Sequence, residues 1–221
     1  MTIGQSSESR NDKPGTLVTL GLMPVVVMAA VMWVVEFIDT IANGRLDRQG
    51  IEPRQLSGLD GVVFAPFLHS GFGHLIANTV PFVLLGGSIA LGAKQRFIRV
   101  TVIVAVIGGC GTWLIGPANT IHIGASGLVF GYLTYLMARG IFARNVWYLL
   151  GGVVTFMVYG GVLWGLLPAP GISWQGHLFG AVGGVVAAYM LHANRDGVDD
   201  SSGPANKPRR SLVDRLSPPE S

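Results

Sequence analysis

The sequence predicts an all-α membrane protein, a bundle of six transmembrane helices with a long, partly membrane-embedded first loop. Three observations carry this prediction. Half of the 221 residues are apolar and only 12% are charged, where a soluble domain carries about a quarter. Mean hydropathy is +0.51. The apolar residues also gather into six separate runs, each near or beyond the ~20 residues that a helix needs to cross the hydrocarbon core.

The elements follow in order. Residues 1–15 are polar and are expected to form a flexible N-terminal tail. The membrane region spans 16–192, with apolar runs at about Leu17–Ala42, His74–Ala93, Phe97–Ile115, Gly124–Phe142, Val146–Leu167 and Ser173–His192. The first run is too long for a signal-peptide core, and no small-residue cleavage site follows it. Glu8 and Asp12 argue against a transit peptide. Residues 193–221 are rich in Asp, Ser, Pro and Arg and are expected to be a flexible C-terminal tail. The 32 glycines have no Gly-X-Y period, which excludes collagen. They suit close packing of membrane helices instead. A single cysteine, Cys110, excludes an intramolecular disulfide framework. The net charge of +3 is small and lies mostly in loops and tails, so nucleic acid is not an expected partner.

Charge sets the orientation. With six spans, the two tails and the turns near 93–97 and 139–145 share one side, which holds twelve of the 15 Lys and Arg residues. The other side holds only Arg45, Arg48 and Arg54. The short turns alone contribute Lys94, Arg96, Arg99, Arg139 and Arg144. Basic residues favour the cytoplasm, so both termini are expected there. The expected location is the cell (plasma) membrane, as a multi-pass protein. The loop at 43–73 carries Phe64, Phe67, Leu68 and Phe72 and reads as lying partly in the membrane interface. An ordinary packed connection is the alternative.

Ionisable groups inside spans are costly and tend to be functional. Glu36 and Asp39 sit near the outer end of the first run, where water would satisfy them. His122 falls in a short outer turn and is expected to be solvated. His69, His74, Asn78, Ser126 and His177 remain, all toward the outer ends of runs two, four and six or the loop before run two. Ser126 lies in Gly124-Ala125-Ser126-Gly127. Taken alone, a helical serine more often bonds a carbonyl one turn back. His177, in Gly176-His177-Leu178-Phe179-Gly180, could alone be a neutral packing histidine. Their neighbours shift the balance. Gly176, Gly180 and Gly184 form one small-residue stripe, and Gly127 and Gly131 form another. Packing those stripes together brings Ser126 to His177, where the imidazole can take the hydroxyl proton during attack on a carbonyl. No acid is placed to orient the histidine, so the pair would be a dyad. Phe130 shares a helix face with Ser126 and can stack on the imidazole. His74 and Asn78, at i and i+4, can point at a common spot and, with the Ser126 backbone N–H, offer three donors to an oxyanion. They could equally be a polar pair facing the loop.

His69-x4-His74-x3-Asn78, Gly124-x-Ser126-Gly127 and Gly176-His177-x2-Gly180-x3-Gly184, in this order on runs two, four and six, resemble the rhomboid intramembrane proteases of the bacterial six-transmembrane type. The resemblance implies a serine endopeptidase with Ser126 as nucleophile and His177 as base. It implies an oxyanion hole of His74, Asn78 and Ser126, supported by Phe130, His69, Gly124 and Gly127. It further implies a half-submerged first loop and a mobile fifth span as a side gate. The implied partners are transmembrane protein substrates and the lipid bilayer, with no metal and no cofactor. Two departures stand out. Phe130 occupies a position where many rhomboids have tyrosine, and a tryptophan–arginine pair common in the first loop is missing near Asp60-Gly61. A catalytically inactive relative that binds membrane clients, and a small transporter, are the competing readings.

Overall fold

The computed structural model describes residues 14–192, with side-chain surroundings from Gly21 onward. The expected tails lie outside the described residues, apart from Pro14 and Gly15 in the first helix. The helices are α1 (Pro14–Ile41), α2 (Gly61–Phe64), α3 (Phe72–Gly92), α4 (Lys94–Ile115), α5 (Ser126–Phe142), α6 (Val146–Tyr159) and α7 (Trp174–Leu191). α6 runs on as a 3-10 segment, Gly160–Leu166. No strand forms among the described residues, although Ile51 and His122 make one antiparallel bridge.

Each apolar run becomes a helix, the fifth with a 3-10 extension. Four segments among the described residues, Gly21–Ile41, Phe72–Gly92, Lys94–Ile115 and Val146–Leu166, are long and apolar enough to cross a membrane. The expectation of six such spans therefore meets four that qualify. α5 and α7 have 17 and 18 residues, or roughly 26 Å at 1.5 Å per residue, just short of a ~30 Å core. Glycines, Gln175 and His177 also lower the apolarity of α7. The two runs that do not qualify are the ones that carry Ser126 and His177.

Local signals explain the boundaries. Asn145 caps α6 by accepting hydrogen bonds from Trp147 N (2.9 Å) and Tyr148 N (3.2 Å). α4 starts three residues before the apolar run, because Lys94 and Arg96 propagate a helix as readily as they sit in a turn. The turn before it shrinks to Ala93 in extended backbone.

α7 lies between α4 and α5. Since lipid tails are as apolar as leucine, close van der Waals packing rather than the hydrophobic effect must hold the helices together. The glycine stripes permit that packing. A Cβ at Gly180 would strike Gly127 O, and one at Gly184 would strike Gly131 O. On the other side of α7, a Cβ at Gly108 would lie 3.5 Å from Gly180 Cα. The Thr134 hydroxyl crosses the α5–α7 seam to Ala181 O at 2.8 Å. Elsewhere in the bundle, Phe82, Phe97 and Tyr132 form an aromatic cluster, with the buried Tyr132 hydroxyl paired to Thr101 at 2.8 Å.

The first loop folds into short helical turns at Leu46–Gln49, Leu56–Gly58, α2 and Ala65–Phe67. Ala65 and Leu68 are buried, while Leu56, Val63 and Phe64 face outward. Glu36 and Asp39 differ from the solvated expectation: both are buried. The loop folds back over them, and Asp39 Oδ1 accepts the Leu46 N–H at 2.6 Å, so Asp39 serves as an anchor for the loop.

Candidate active site

The site lies where α3, α5 and α7 begin, beneath the connections 116–125 and 167–173. Gly124 has φ +110, in the region that favours glycine. Its N–H bonds to Ala65 O at 2.9 Å. This turn delivers Ser126 to the first position of α5. Ser173 precedes the first turn of α7, and the His177 N–H bonds to Ser173 O at 3.1 Å.

These two helix starts bring the serine and the histidine together. His177 Nε2 lies 2.8 Å from Ser126 Oγ. His177 Nδ1 lies 2.8 Å from Gly165 O. A carbonyl can only accept, so Nδ1 carries the proton and Nε2 is free to accept from the serine hydroxyl. Phe130 stacks on the imidazole with centroids 4.2 Å apart and planes 9° from parallel. The ring position is thereby fixed by a carbonyl at one edge and an aromatic face. No carboxylate is bonded to His177 among the described residues. Gly127 sits directly beside the pair, where a Cβ would lie 3.3 Å from Gly176 O.

His74 and Asn78 converge on the same place. A Cβ on Gly124 would lie 2.8 Å from His74 Nε2 and 3.8 Å from Asn78 Nδ2. His74 Nδ1 faces Ser70 N at 3.4 Å and accepts from it, which leaves Nε2–H as the donor toward Gly124. Asn78 Nδ2 donates one hydrogen to His74 O at 3.0 Å and keeps the other. Ser126, His74, Asn78, Phe130 and His177 all line one cavity of ≈ 880 Å³. His69 stays outside it. It is buried edge-on to His74, with centroids 5.1 Å apart, and its Nε2 accepts from Ala125 N at 3.4 Å. Burial, and then His74 beside it, hold its imidazole down to about 4, so it is neutral at pH 7.

His122 departs from expectation. It is 9% exposed rather than solvated, with hydroxyls at both ring nitrogens: Ser173 Oγ at 2.6 Å and Thr120 Oγ1 at 3.0 Å. Burial lowers its pKa. Two contributors to the site have no side-chain signature and escape sequence reasoning, namely the Gly165 and Ala65 carbonyls. The one general hint at Gly165 is that the end of a helical segment leaves carbonyls unpaired.

Residues 57–194 match the family model of the Rhomboid domain. An uncharacterized protein of Mycobacterium tuberculosis is 46% identical over 183 residues, 79% of this chain and 76% of the relative. An uncharacterized protein of Mycobacterium leprae is 45% identical over the same share of this chain and 72% of its own length. The "Putative rhomboid protease YdcA" of Bacillus subtilis is 29% identical over 129 residues, 56% of this chain and 62% of that protein.

Proposed function

The chain belongs to the rhomboid family of multi-pass membrane proteins, and from that premise we propose that it is an intramembrane serine endopeptidase working through a Ser126–His177 dyad. The observation that carries the reading is the pair of 2.8 Å contacts that leave His177 Nε2 as an acceptor for the Ser126 proton and tie Nδ1 to Gly165 O. Ser126 Oγ attacks the scissile carbonyl and its proton passes to Nε2. The Nδ1–H bond to Gly165 O steadies the imidazolium, which then protonates the leaving amine. Water follows the same path in reverse to release the acyl group. His74 Nε2–H, the second Asn78 hydrogen and the Ser126 N–H serve the oxyanion, a term worth about 2.7–4 kcal/mol of barrier per donor.

The proposed substrates are transmembrane proteins with an accessible, helix-destabilised segment near the outer face, because the cavity opens at the end of the bundle opposite the basic turn at 139–145. The proposed setting is the plasma membrane, with six spans and both termini cytoplasmic. The outward-facing Leu56, Val63 and Phe64 suit a first loop lying in the interface. The test is cleavage of a model transmembrane substrate by purified protein in liposomes. Cleavage that disappears in Ser126→Ala supports the reading; cleavage that persists in that variant rejects it.

A further inference from the structure

Ser126 and His177 sit on separate helices, 2.8 Å apart, at the end of the glycine seam. The segment leading into each residue is largely irregular: 116–125 precedes Ser126, and 167–173 precedes α7. A side-chain bridge joins the two segments. His122 Nδ1 meets Ser173 Oγ at 2.6 Å, and each of these residues lies four positions before a member of the pair.

The bridge has a defined polarity. The Thr120 hydroxyl donates to Pro117 O at 2.7 Å. Its oxygen is therefore the acceptor for His122 Nε2–H at 3.0 Å. Nδ1 then has no proton and accepts from the Ser173 hydroxyl. A chain of three directed bonds results, from Ser173 through His122 and Thr120 to Pro117. The backbone of His122 is pinned as well, exchanging two 2.9 Å hydrogen bonds with Ile51. Ser173 is the N-cap residue of α7, yet its side chain makes no capping bond. Its hydroxyl is committed to His122 in place of the usual cap.

We propose that the His122–Ser173 bridge is a positioning clamp that fixes the approach of Ser126 to His177. This rests on the protease reading of the same site. His122 does not touch the reacting atoms; it acts by holding the two helix starts in register. Burial keeps it neutral at working pH, which suits the acceptor role of Nδ1.

The test uses the full chain in detergent micelles with a fluorophosphonate probe, which reacts with an activated serine without docking a transmembrane helix. His122→Leu and Ser173→Ala should each slow labelling by about 10–100-fold, the scale of a misplacement near 1 Å. On a model substrate, kcat should fall and KM should hold. The double variant should be no slower than the slower single one, because both remove one bond. His122→Asn keeps an acceptor near the Nδ1 position and should restore most of the rate. A second readout needs no activity. The His177 ring protons lie against the Phe130 ring and should carry a ring-current shift in NMR, which His122→Leu should move and His122→Asn should return. Labelling by Ser173→Ala at the wild-type rate overturns the clamp, as does an unmoved His177 signal in His122→Leu. Absence of Ser126-dependent labelling in the wild-type protein rejects the protease reading, and the NMR signal still decides the clamp.

Discussion

The α5–α7 seam and the α6 segment sit side by side, and they differ in how much of each helix is buried. Along the seam, backbone meets backbone: Gly180 on Gly127, Gly184 on Gly131, and Thr134 reaching across to Ala181. α6 touches α5 closely at Gly152 against Met137 and through Leu149 on Gly140, while Leu150, Val154, Met157 and Val158 stay exposed. The seam holds both members of the proposed dyad. The α6 side supplies a single carbonyl, Gly165 O, at the end of its 3-10 extension. The proposed chemistry thus rests on the more deeply buried interface, and the more exposed element contributes one acceptor, Gly165 O. Few buried residues on α6 also support the proposal, taken from the family resemblance, of this element as a mobile side gate, since weakly buried elements open at low cost.

The largest test of this division is at the dyad. Ser126→Ala and His177→Ala should each take cleavage of a transmembrane substrate below detection, and the double variant should be no worse, since the two act as a unit. Robust cleavage by His177→Ala would leave that residue to packing alone. Next comes the donor across the cavity: Asn78→Ala should lower turnover by about 10²–10³, with the residual cleavage still dependent on Ser126. Kinetics at saturating substrate check this.

Paired glycine variants address the two regions directly. Gly180→Leu forces a side chain into Gly127 O and should destabilise the fold by about 1–3 kcal/mol or more, with a clear loss of turnover. Gly151→Ala on α6 meets nothing within 4 Å and should gain up to about 1 kcal/mol from helix propensity, with turnover unchanged. Thermal unfolding and cleavage measured on both variants would break the comparison if their effects were alike. Phe130 offers a finer test on the seam. Phe130→Ala should cost about tenfold by loosening the imidazole, whereas Phe130→Tyr keeps the ring and should stay near wild type.

The smallest effect is on stability against pH. His69 has an ordinary pKa of 6.5 when unfolded and about 4 in the fold. The unfolded chain then binds more protons between those values, so the stabilisation is complete above about pH 6.5 and is lost as pH falls through 4. The loss is on the order of 3 kcal/mol at most. His69→Gln should flatten that part of the curve in chemical unfolding followed from pH 7 to 4.

Much of this architecture is legible in one dimension. The period and length of the apolar runs reflect a solvent that forbids unpaired backbone, so helices are the forced outcome. The glycine stripes at four-residue spacing announce the α5–α7 contact, and with it the meeting of Ser126 and His177, because small residues are where membrane helices can touch. Tertiary structure alone decides other matters. The Gly165 carbonyl orients His177, but every residue has a carbonyl, so no residue type could mark it. His122 reads as a solvated turn histidine, and Glu36 and Asp39 as interfacial acids, because local sequence cannot say which loop will fold over a helix end. Even the count of qualifying spans turns partly on three dimensions: α5 starts two residues into its apolar run because Gly124 and Ala125 form the turn that delivers Ser126, whereas α7 keeps 18 residues and falls short through the polarity of Gln175 and His177.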